Sequence, residues 1–268
     1  VALRGLSEAG VLLSSLQRDE AVMTGLMYIL VTPDGDRTIF GDRGANAYTD
    51  PSGISDGEIG AARLLHLSGY ALLDEPQRSA AMHSLEVARR QGLTVSLDPG
   101  LSGAPEVADQ IRQCLPEVDI LMPNLAEARQ LAGVTAPEDC VQALLDAGSG
   151  AVAMKLGRGG ALAGNGEELF HLPAFDVETR DSTGAGDSFA AGLIAGFLHG
   201  LGWPAAVVLG NAMGAVAAAR VGGGSAVPMG QEVLALLDGC RDEAAFGPHR
   251  VAVAQATEFV RTSVLEPI

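Results

Sequence analysis

Residues 181–189 read Asp-Ser-Thr-Gly-Ala-Gly-Asp-Ser-Phe, and an apolar stretch follows them at once. Glycines let backbone N–H groups come close to a phosphate, and a helix that begins there adds unpaired N–H donors and the positive end of its dipole. Asp187 falls in the first turn of that helix, where the dipole stabilises a negative charge and a carboxylate can take a proton from a hydroxyl. The stretch therefore predicts an anion site beside a general base, as phosphoryl transfer to an alcohol requires. The residues of the predicted anion hole are Gly184, Ala185 and Gly186.

The same stretch also has a purely structural interpretation. A Gly-Ala-Gly sequence can begin a helix that packs tightly, with Asp187 as an ordinary acid of the first turn and Asp181 or Ser182 as the cap. The motif alone leaves both interpretations open, so the rest of the chain has to distinguish them.

Composition predicts a globular protein with a large core. The chain has 268 residues, of which 47% are hydrophobic and only 19% charged, which suits one large domain or one with a small appendage. We find neither a run of 18 apolar residues without Gly or a charge nor a signal-peptide pattern at the start, so we expect a cytoplasmic protein without a membrane span. Three cysteines far apart favour free thiols over disulfides or a zinc site.

The charge of the chain excludes several classes of partner and enzyme. A net charge of −16 argues against nucleic acid and against an anionic membrane, because both attract basic surfaces. Lys155 is the only lysine, and Leu156 follows it, so the Gly-x4-Gly-Lys-Ser/Thr motif of P-loop kinases is absent.

The histidines form no i,i+4 pair and no cluster with acids, which favours structural roles. They are His66, His83, His171, His199 and His249.

Short apolar runs alternate with segments of helical spacing, which predicts an α/β fold. The runs cover residues 64–68, 93–97, 118–122 and 151–156, and helical spacing is found, for example, at 76–92 and 105–115. This alternation indicates βαβ units with helices on both faces of a mostly parallel sheet. Ligands bind at the carboxyl ends of such strands, so we expect the residues that follow three of the runs to share one rim. These are Asp98, Asn124 and Gly157.

A β-hairpin outside the main sheet is predicted near the start of the chain. Residues 27–31 and 37–40 are rich in β-formers and flank Pro33-Asp34-Gly35-Asp36, a strong turn signal. The hairpin is either a plain surface feature or a lid over a site.

The glycine-rich stretch resembles the Asp-Thr-x-Gly-Ala-Gly-Asp signature of the ribokinase-like, or phosphofructokinase-B, family of carbohydrate kinases, with Ser182 where that family most often has Thr. The resemblance implies a ribokinase-like α/β fold with a mostly parallel sheet and a small β lid. It extends over nearly all of residues 5–237, and Arg43-Gly44-Ala45-Asn46-Ala47 matches the segment after the lid strands. A lid suits a kinase because closure excludes water that would otherwise accept the phosphoryl group.

The resemblance also implies a division of the chain. We expect a partial first helical region at 1–21, the hairpin lid at 22–47, the α/β kinase core at 48–240 and a C-terminal segment of unknown role at 241–268. The family's usual first strand, its sugar-binding Asp and its Gly-Gly-Asn stretch have no counterpart here.

Asn124 and Glu127 are candidate nucleotide and metal residues. Their three-residue spacing at a helix start fits a capping box, and it also fits an amide and a carboxylate beside Mg2+ with its retained waters. The pair matches the family's Asn-x-x-Glu motif, which implies that it acts through Mg2+ and phosphate.

The remaining site residues are implied by the same resemblance. Lys155, Gly157 and Gly160 match the family's nucleotide-binding glycine turn, although a tight turn without a ligand explains them equally well. Asn211 matches the position beside the adenine. The loop at 221–226, which includes Ser225, resembles the one that forms a monovalent-cation site with Asp181, and it implies activation by K+.

The expected function is ATP-dependent phosphorylation of a sugar hydroxyl, with Mg2+ as cofactor and ribose, fructose or 2-keto-3-deoxygluconate as the acceptor. The open edges of the lid favour a homodimer. The alternatives are a non-catalytic nucleotide- or sugar-binding protein and an inactive fragment. A dinucleotide oxidoreductase is disfavoured, because the turn at 157–160 lacks the Gly-x-Gly-x-x-Gly spacing.

Overall fold

Two sheets organise the computed structural model, which describes residues 2–32, 37–101, 105–224, 227–240 and 243–265. Their strands are β1 (Thr24–Val31), β2 (Arg37–Gly44), β3 (Leu64–Ser68), β4 (Thr94–Asp98), β5 (Ile120–Leu121), β6 (Ala151–Lys155), β7 (Ala161–Gly164) and β8 (Leu169–Leu172). The six strands from β3 to β8 form the main sheet in chain order. Strands β3 to β6 are parallel, whereas β7 and β8 join as antiparallel neighbours. The predicted α/β fold with a mostly parallel sheet is confirmed.

Helices cover both faces of this sheet. The helices of the described residues are α1 (Ala2–Glu8), α2 (Asp56–Gly60), α3 (Gln77–Arg90), α4 (Ala108–Cys114), α5 (Leu125–Ala132), α6 (Pro137–Asp146), α7 (Ala185–Leu198), α8 (Trp203–Ala218), α9 (Gly230–Gly239) and α10 (Arg250–Leu265), of which α3 to α10 pack against the sheet. Successive side chains of a strand point to opposite faces. Accordingly Leu121 packs in one core with α3 to α6, and its neighbour Ile120 packs in a second core with α7 to α10.

The predicted strands and helices agree closely with the observed elements. Apolar runs at 64–68 and 151–156 form β3 and β6. Strand β6 is almost completely buried, as expected of a strand covered on both faces, whereas β3 lies at the edge of the sheet and fully buries only Leu67. The run at 118–122 yields only the two-residue strand β5. The helical segment at 105–115 begins as a 3-10 turn, Pro105–Val107, and becomes α-helical at Ala108.

The predicted hairpin forms as an antiparallel ribbon of β1 and β2, separate from the main sheet. Its turn, residues 33–36, lies outside the described residues. Large apolar side chains are exposed along it: Tyr28 is 65% exposed, Leu30 62% and Phe40 57%. At its base Arg43 forms an ion pair of 2.8 Å with Asp74, which ties the ribbon to the body.

The C-terminal segment, for which the sequence predicted no role, forms part of the second core. Helix α10 packs on α8 and α9, and it buries Ala252, Val253 and Ala256. Phe246 precedes the helix and is only 1% exposed. In the part of the chain that the structure describes, no helix has both the length and the apolar character that a membrane span requires.

Candidate active site

The glycine-rich turn leads into α7 as the sequence predicted. Gly184 is the N-cap and has a left-handed backbone, with φ of 74°, which glycine adopts without strain. The N–H group of Ala185 donates to the Ser182 carbonyl at 3.2 Å. Over the residues that it describes, the structure gives no acceptor for the N–H groups of Gly184 and Gly186. These two groups are therefore the available donors of the predicted anion hole, whereas the N–H group of Ala185 is already engaged with Ser182.

Gly186 and Asp187 occupy the first turn of α7 and face different surroundings. A Cβ atom added at Gly186 would lie 3.5 Å from Lys155 Nζ, which is an ordinary contact, so packing alone does not require glycine there. Asp187 is exposed to solvent and can be reached by a substrate. The turn thus brings an ammonium group, backbone donors and an accessible carboxylate to one place.

Asp181 organises the loop that precedes this turn. It is 2% exposed, and its carboxylate accepts hydrogen bonds from Thr183 N at 2.9 Å, Thr183 Oγ1 at 2.6 Å and Gly222 N at 2.9 Å. A buried charge requires such compensation. Asp181 therefore fixes the glycine-rich loop to the segment near 222. Ser225, the other residue expected at a monovalent-cation site, lies outside the described residues.

The carboxyl ends of β4 and β6 meet through an ion pair. Lys155 Nζ lies 2.5 Å from Asp98 Oδ2, and the two side chains are only 15% and 17% exposed. Lys155 N also donates to the Pro123 carbonyl at 2.8 Å, and Lys155 pairs with Asn124 in a parallel bridge. The structure thus brings Asp98, Asn124 and Lys155 together at the rim. Asp98 and Asn124 were predicted there from their positions after strands, and Gly157, the third predicted residue, begins the turn just beyond Lys155.

Asn124 and Glu127 form a capping box at the start of α5. Asn124 Oδ1 accepts from Glu127 N at 2.9 Å, and Glu127 Oε2 accepts from Asn124 N at 2.8 Å. Glu127 Oε1 also accepts from Leu101 N at 3.1 Å. The residue is 4% exposed. Burial raises the pKa of the Glu127 carboxyl, while its hydrogen bond from Asn124 N and the charge of Lys155 oppose that shift. The pair therefore forms the capping box that its spacing allows, and the charge of Lys155 also acts on Glu127.

His66 belongs to this region, although its spacing along the chain favoured a plain structural role. Its Nδ1 atom lies 2.9 Å from Ser96 Oγ on the neighbouring strand. The residue as a whole is exposed, yet desolvation of its ring lowers the pKa of His66, and the carboxylates of Asp98 and Asp187 oppose this. No local motif marks His66, because the register of β3 against β4 creates the contact.

The electrostatic balance of the rim is negative. Asp98, Glu127 and Asp187 supply carboxylates that interact with Lys155 or His66, and Lys155 is the ammonium group in these interactions. An anionic ligand would therefore meet more negative than positive side-chain charge here. Backbone N–H donors and accompanying cations would have to offset that imbalance.

The second glycine turn and Asn211 both contact the end of β8. Gly157 and Gly160 have φ of 58° and 84°, and a Cβ atom at Gly160 would lie 2.0 Å from the Leu172 carbonyl. Asn211 is 8% exposed, and its Nδ2 atom donates to the Pro173 carbonyl at 2.9 Å. Gly160 is therefore required by packing, whereas Gly157 has open space around it.

Cysteines and metal clusters add no further site in the described residues. Cys114, Cys140 and Cys240 are buried free thiols, as predicted. The described ranges contain no group of three or more His, Cys, Asp or Glu that could hold a metal ion by itself.

Comparison with known proteins identifies the family. A sequence model of the pfkB family carbohydrate kinases matches residues 2–229. The chain belongs to the pfkB family of carbohydrate kinases. The family assignment confirms the resemblance found in the glycine-rich stretch. The match ends before α9, so both α9 and α10 lie beyond the part that the family model covers.

Individual pfkB relatives support the assignment. The ATP-dependent ribose-1-phosphate kinase of Halopiger xanaduensis is 34% identical over 239 residues, which cover 88% of this chain and 75% of that protein. The 2-dehydro-3-deoxygluconokinase of Bacillus subtilis is 32% identical over 184 residues, which cover 66% of this chain and 57% of that protein. A crystal structure of a PfkB protein from Polaromonas sp. JS666 is similar with a TM-score of 0.72 and 28% identity, over 83% of this chain and 76% of that one.

Proposed function

We propose that this pfkB-family chain catalyses ATP-dependent phosphorylation of a sugar hydroxyl, with Asp187 as the general base. The observation that carries the proposal is the first turn of α7. There an exposed carboxylate follows the left-handed Gly184, and Lys155 Nζ lies beside Gly186. The base and the backbone donors lie at the start of one helix and the ammonium group of Lys155, at the end of β6, lies beside them, an arrangement that suits in-line transfer of a phosphoryl group.

Each group has a defined part in the transfer. The sugar hydroxyl gives its proton to the Asp187 carboxylate, and the sugar oxygen forms a bond to the γ-phosphorus as the bond to the leaving ADP oxygen breaks. The N–H groups of Gly184 and Gly186 and the ammonium group of Lys155 donate to the phosphate oxygens. Since the phosphoryl oxygens carry negative charge throughout, these donors stabilise the transition state.

Mg2+ is expected to enter with ATP. The rim has three carboxylates and one ammonium group, so ATP needs a cation to approach it. Glu127 is buried and engaged in the capping box, which suits contact through the water ligands that Mg2+ retains. When bound, Mg2+ would spread the charge on the triphosphate.

The nucleotide is expected to bind near the second glycine turn. Gly157 and Gly160 allow close approach of backbone to the nucleotide, and Asn211 lies near the adenine in this proposal. Both elements contact the end of β8. Asp181 and Ser225 are proposed to hold K+ beside the anion hole.

The β1–β2 ribbon is proposed to act as a lid and, through its exposed apolar side chains, as a dimer contact. Apolar side chains in such number are more often covered by a partner or a substrate than left in water. Sedimentation equilibrium of the chain and of a Tyr28→Lys, Leu30→Lys variant would test the dimer. A monomeric wild-type chain would remove this part of the proposal.

The first acceptor to test is ribose 1-phosphate, because the ribose-1-phosphate kinase of Halopiger xanaduensis is similar to this chain over 75% of its own length. Ribose, fructose and 2-keto-3-deoxygluconate complete the set. The assay measures ADP release with Mg2+ and K+ for each sugar, and product formation by mass spectrometry confirms that the phosphate reaches the sugar.

The decisive variant is Asp187→Asn, and the chain offers a matched control. Asp139 is also an exposed acid at the third position of a helix, in α6. We expect Asp187→Asn to lower kcat by about 100-fold to 10,000-fold, the usual contribution of a general base. Asp139→Asn should leave kcat unchanged. Equal activity of the two variants would refute the role of Asp187, and ATP binding without turnover on any sugar would favour the non-catalytic alternative.

A further inference from the structure

The segment that precedes α10 contacts the end of β8 through His249. The His249 Nε2 atom lies 2.9 Å from the carbonyl oxygen of His171, so this ring nitrogen carries a proton and donates. The His249 ring also packs on Phe170, with 5.8 Å between ring centroids. His249 therefore holds two neighbouring residues of β8, one by a hydrogen bond and one by ring contact.

Phe246 fixes the chain just beyond β8. Its ring stacks on Phe175 with 4.8 Å between centroids and an interplanar angle of 28°. Both residues are almost completely buried, at 1% and 4% exposed. Residues 246–249, which we call the C-terminal grip, thus contact both ends of residues 170–175 through Phe246 and His249.

The gripped segment contacts both candidate nucleotide-binding elements. The ring of His171 donates from Nε2 to the Gly159 carbonyl at 2.7 Å, within the 157–160 turn. The Pro173 carbonyl accepts from Asn211 Nδ2 at 2.9 Å. Residues 170–175 therefore link the glycine turn to Asn211.

We infer that Phe246 and His249 are positioning residues for ATP, which set the glycine turn and Asn211 by fixing the segment 170–175 between them. The inference rests on the proposed kinase function. Strand β8 is the last strand of the main sheet in the described residues and pairs only with β7 on that sheet. An edge strand with few partners opens easily, and the hydrogen bond from its own His171 to the Gly159 carbonyl is exposed to water. The hydrogen bond and ring contact that His249 makes with β8 support this edge strand.

The test compares ATP affinity and stability in four variants of the full chain. His249→Leu removes the donor, His249→Gln retains one, and Phe246→Leu removes the ring stack while keeping an apolar side chain. The matched control is Val260→Ala in α10, because Val260 lines a groove with Ala195, Leu209 and Met213 and lies 11 residues beyond His249 along the chain. Calorimetric titration with ATP and Mg2+ gives Kd, and thermal unfolding gives Tm.

We expect His249→Leu to raise the Kd for ATP by about fivefold, the value of one hydrogen bond. His249→Gln should restore affinity close to that of the wild type, and Phe246→Leu should weaken binding as His249→Leu does. Val260→Ala should lower Tm without changing Kd. In turnover, KM for ATP should rise while KM for the sugar stays constant.

Two results would overturn the inference, and they are distinguishable from failure of the proposed function. If wild type binds ATP and His249→Leu and Phe246→Leu bind it equally well, the grip does not position the nucleotide. If Val260→Ala weakens binding as much as they do, general stability is the cause. If the wild-type chain does not bind ATP at all, the proposed function fails together with the inference.

Discussion

Gly186→Ala separates the anion hole from the stability of the fold. A methyl group there would lie 3.5 Å from Lys155 Nζ, so it fits without a clash. It would, however, fill the space between the ammonium group and the helix start. If a phosphoryl group occupies that space, as the proposed function requires, the variant should fold normally and lose activity.

The size of each effect follows from the structure. Gly186 is the second residue of α7, and alanine is favoured over glycine in a helix by up to about 1 kcal/mol. We therefore expect Tm to stay constant or to rise by about 2–4 °C, the usual response of a large domain. The variant keeps its backbone N–H, but the methyl group would hold the phosphoryl group away from it. Since losing contact with one anion-hole donor typically lowers kcat by about 100-fold to 1,000-fold, we expect kcat/KM to fall within that range.

Gly57→Ala is the matched control for this experiment. Gly57 is likewise the second residue of a helix, α2, and a Cβ atom there would meet only Ser55 Oγ at 3.8 Å. Both variants should show the same small change in Tm, while only Gly186→Ala loses ADP release on the best sugar. Full activity of Gly186→Ala with an unchanged Tm would refute the assignment of this turn to phosphate binding.

Three further predictions concern the same rim. Gly184→Ala places alanine at φ of 74° and should cost about 1–2 kcal/mol, seen as a lower Tm; an unchanged Tm would argue against strain there. Because burial raises the pKa of Glu127, the folded state holds that proton more tightly, and the associated stability is present below the unfolded pKa of about 4.3 and lost as pH rises through the folded pKa. The Tm of wild type relative to Glu127→Gln should therefore fall as pH rises above about 4.3, and a constant difference would contradict the pKa shift. Replacing K+ by Na+ or by a bulky organic cation should lower turnover, whereas equal rates would exclude K+ activation.

The parts of the fold that could be predicted are those whose own short sequence carries a pattern of apolar residues. Strands β3 and β6 have short, mostly apolar sequences, which is typical of parallel strands, and in β4 the apolar Val95 and Leu97 alternate with polar residues. Strands β7 and β8 have four residues each and lie beside glycines and charges, so no pattern marks them. Helix α10 buries only part of its surface, and its role depends on packing against α8 and α9.

The same distinction holds for the candidate site: features within a short stretch of sequence could be predicted, and contacts between strands could not. Asp187 could be placed from sequence, because its surroundings are the preceding three residues and the helix that they begin. The ion pair of Lys155 with Asp98 could not, because it joins residues 57 positions apart through two strands. His66 was missed for the same reason, since only the register of β3 against β4 places it beside Ser96.

Charge explains how an acidic protein can handle an anionic nucleotide. Lys155 is the single lysine of the chain, and Asp98 already neutralises it in the structure. A second basic residue at the rim would bind phosphate more tightly, but it would also pair with Glu127 or Asp187 and reduce the basicity of Asp187, the carboxylate that we propose as the general base. Backbone N–H groups at a helix start attract phosphate without being able to form such a salt bridge. In the proposed mechanism, leaving the missing positive charge to a cation that arrives with ATP would therefore keep Asp187 available as a base until the substrate is bound.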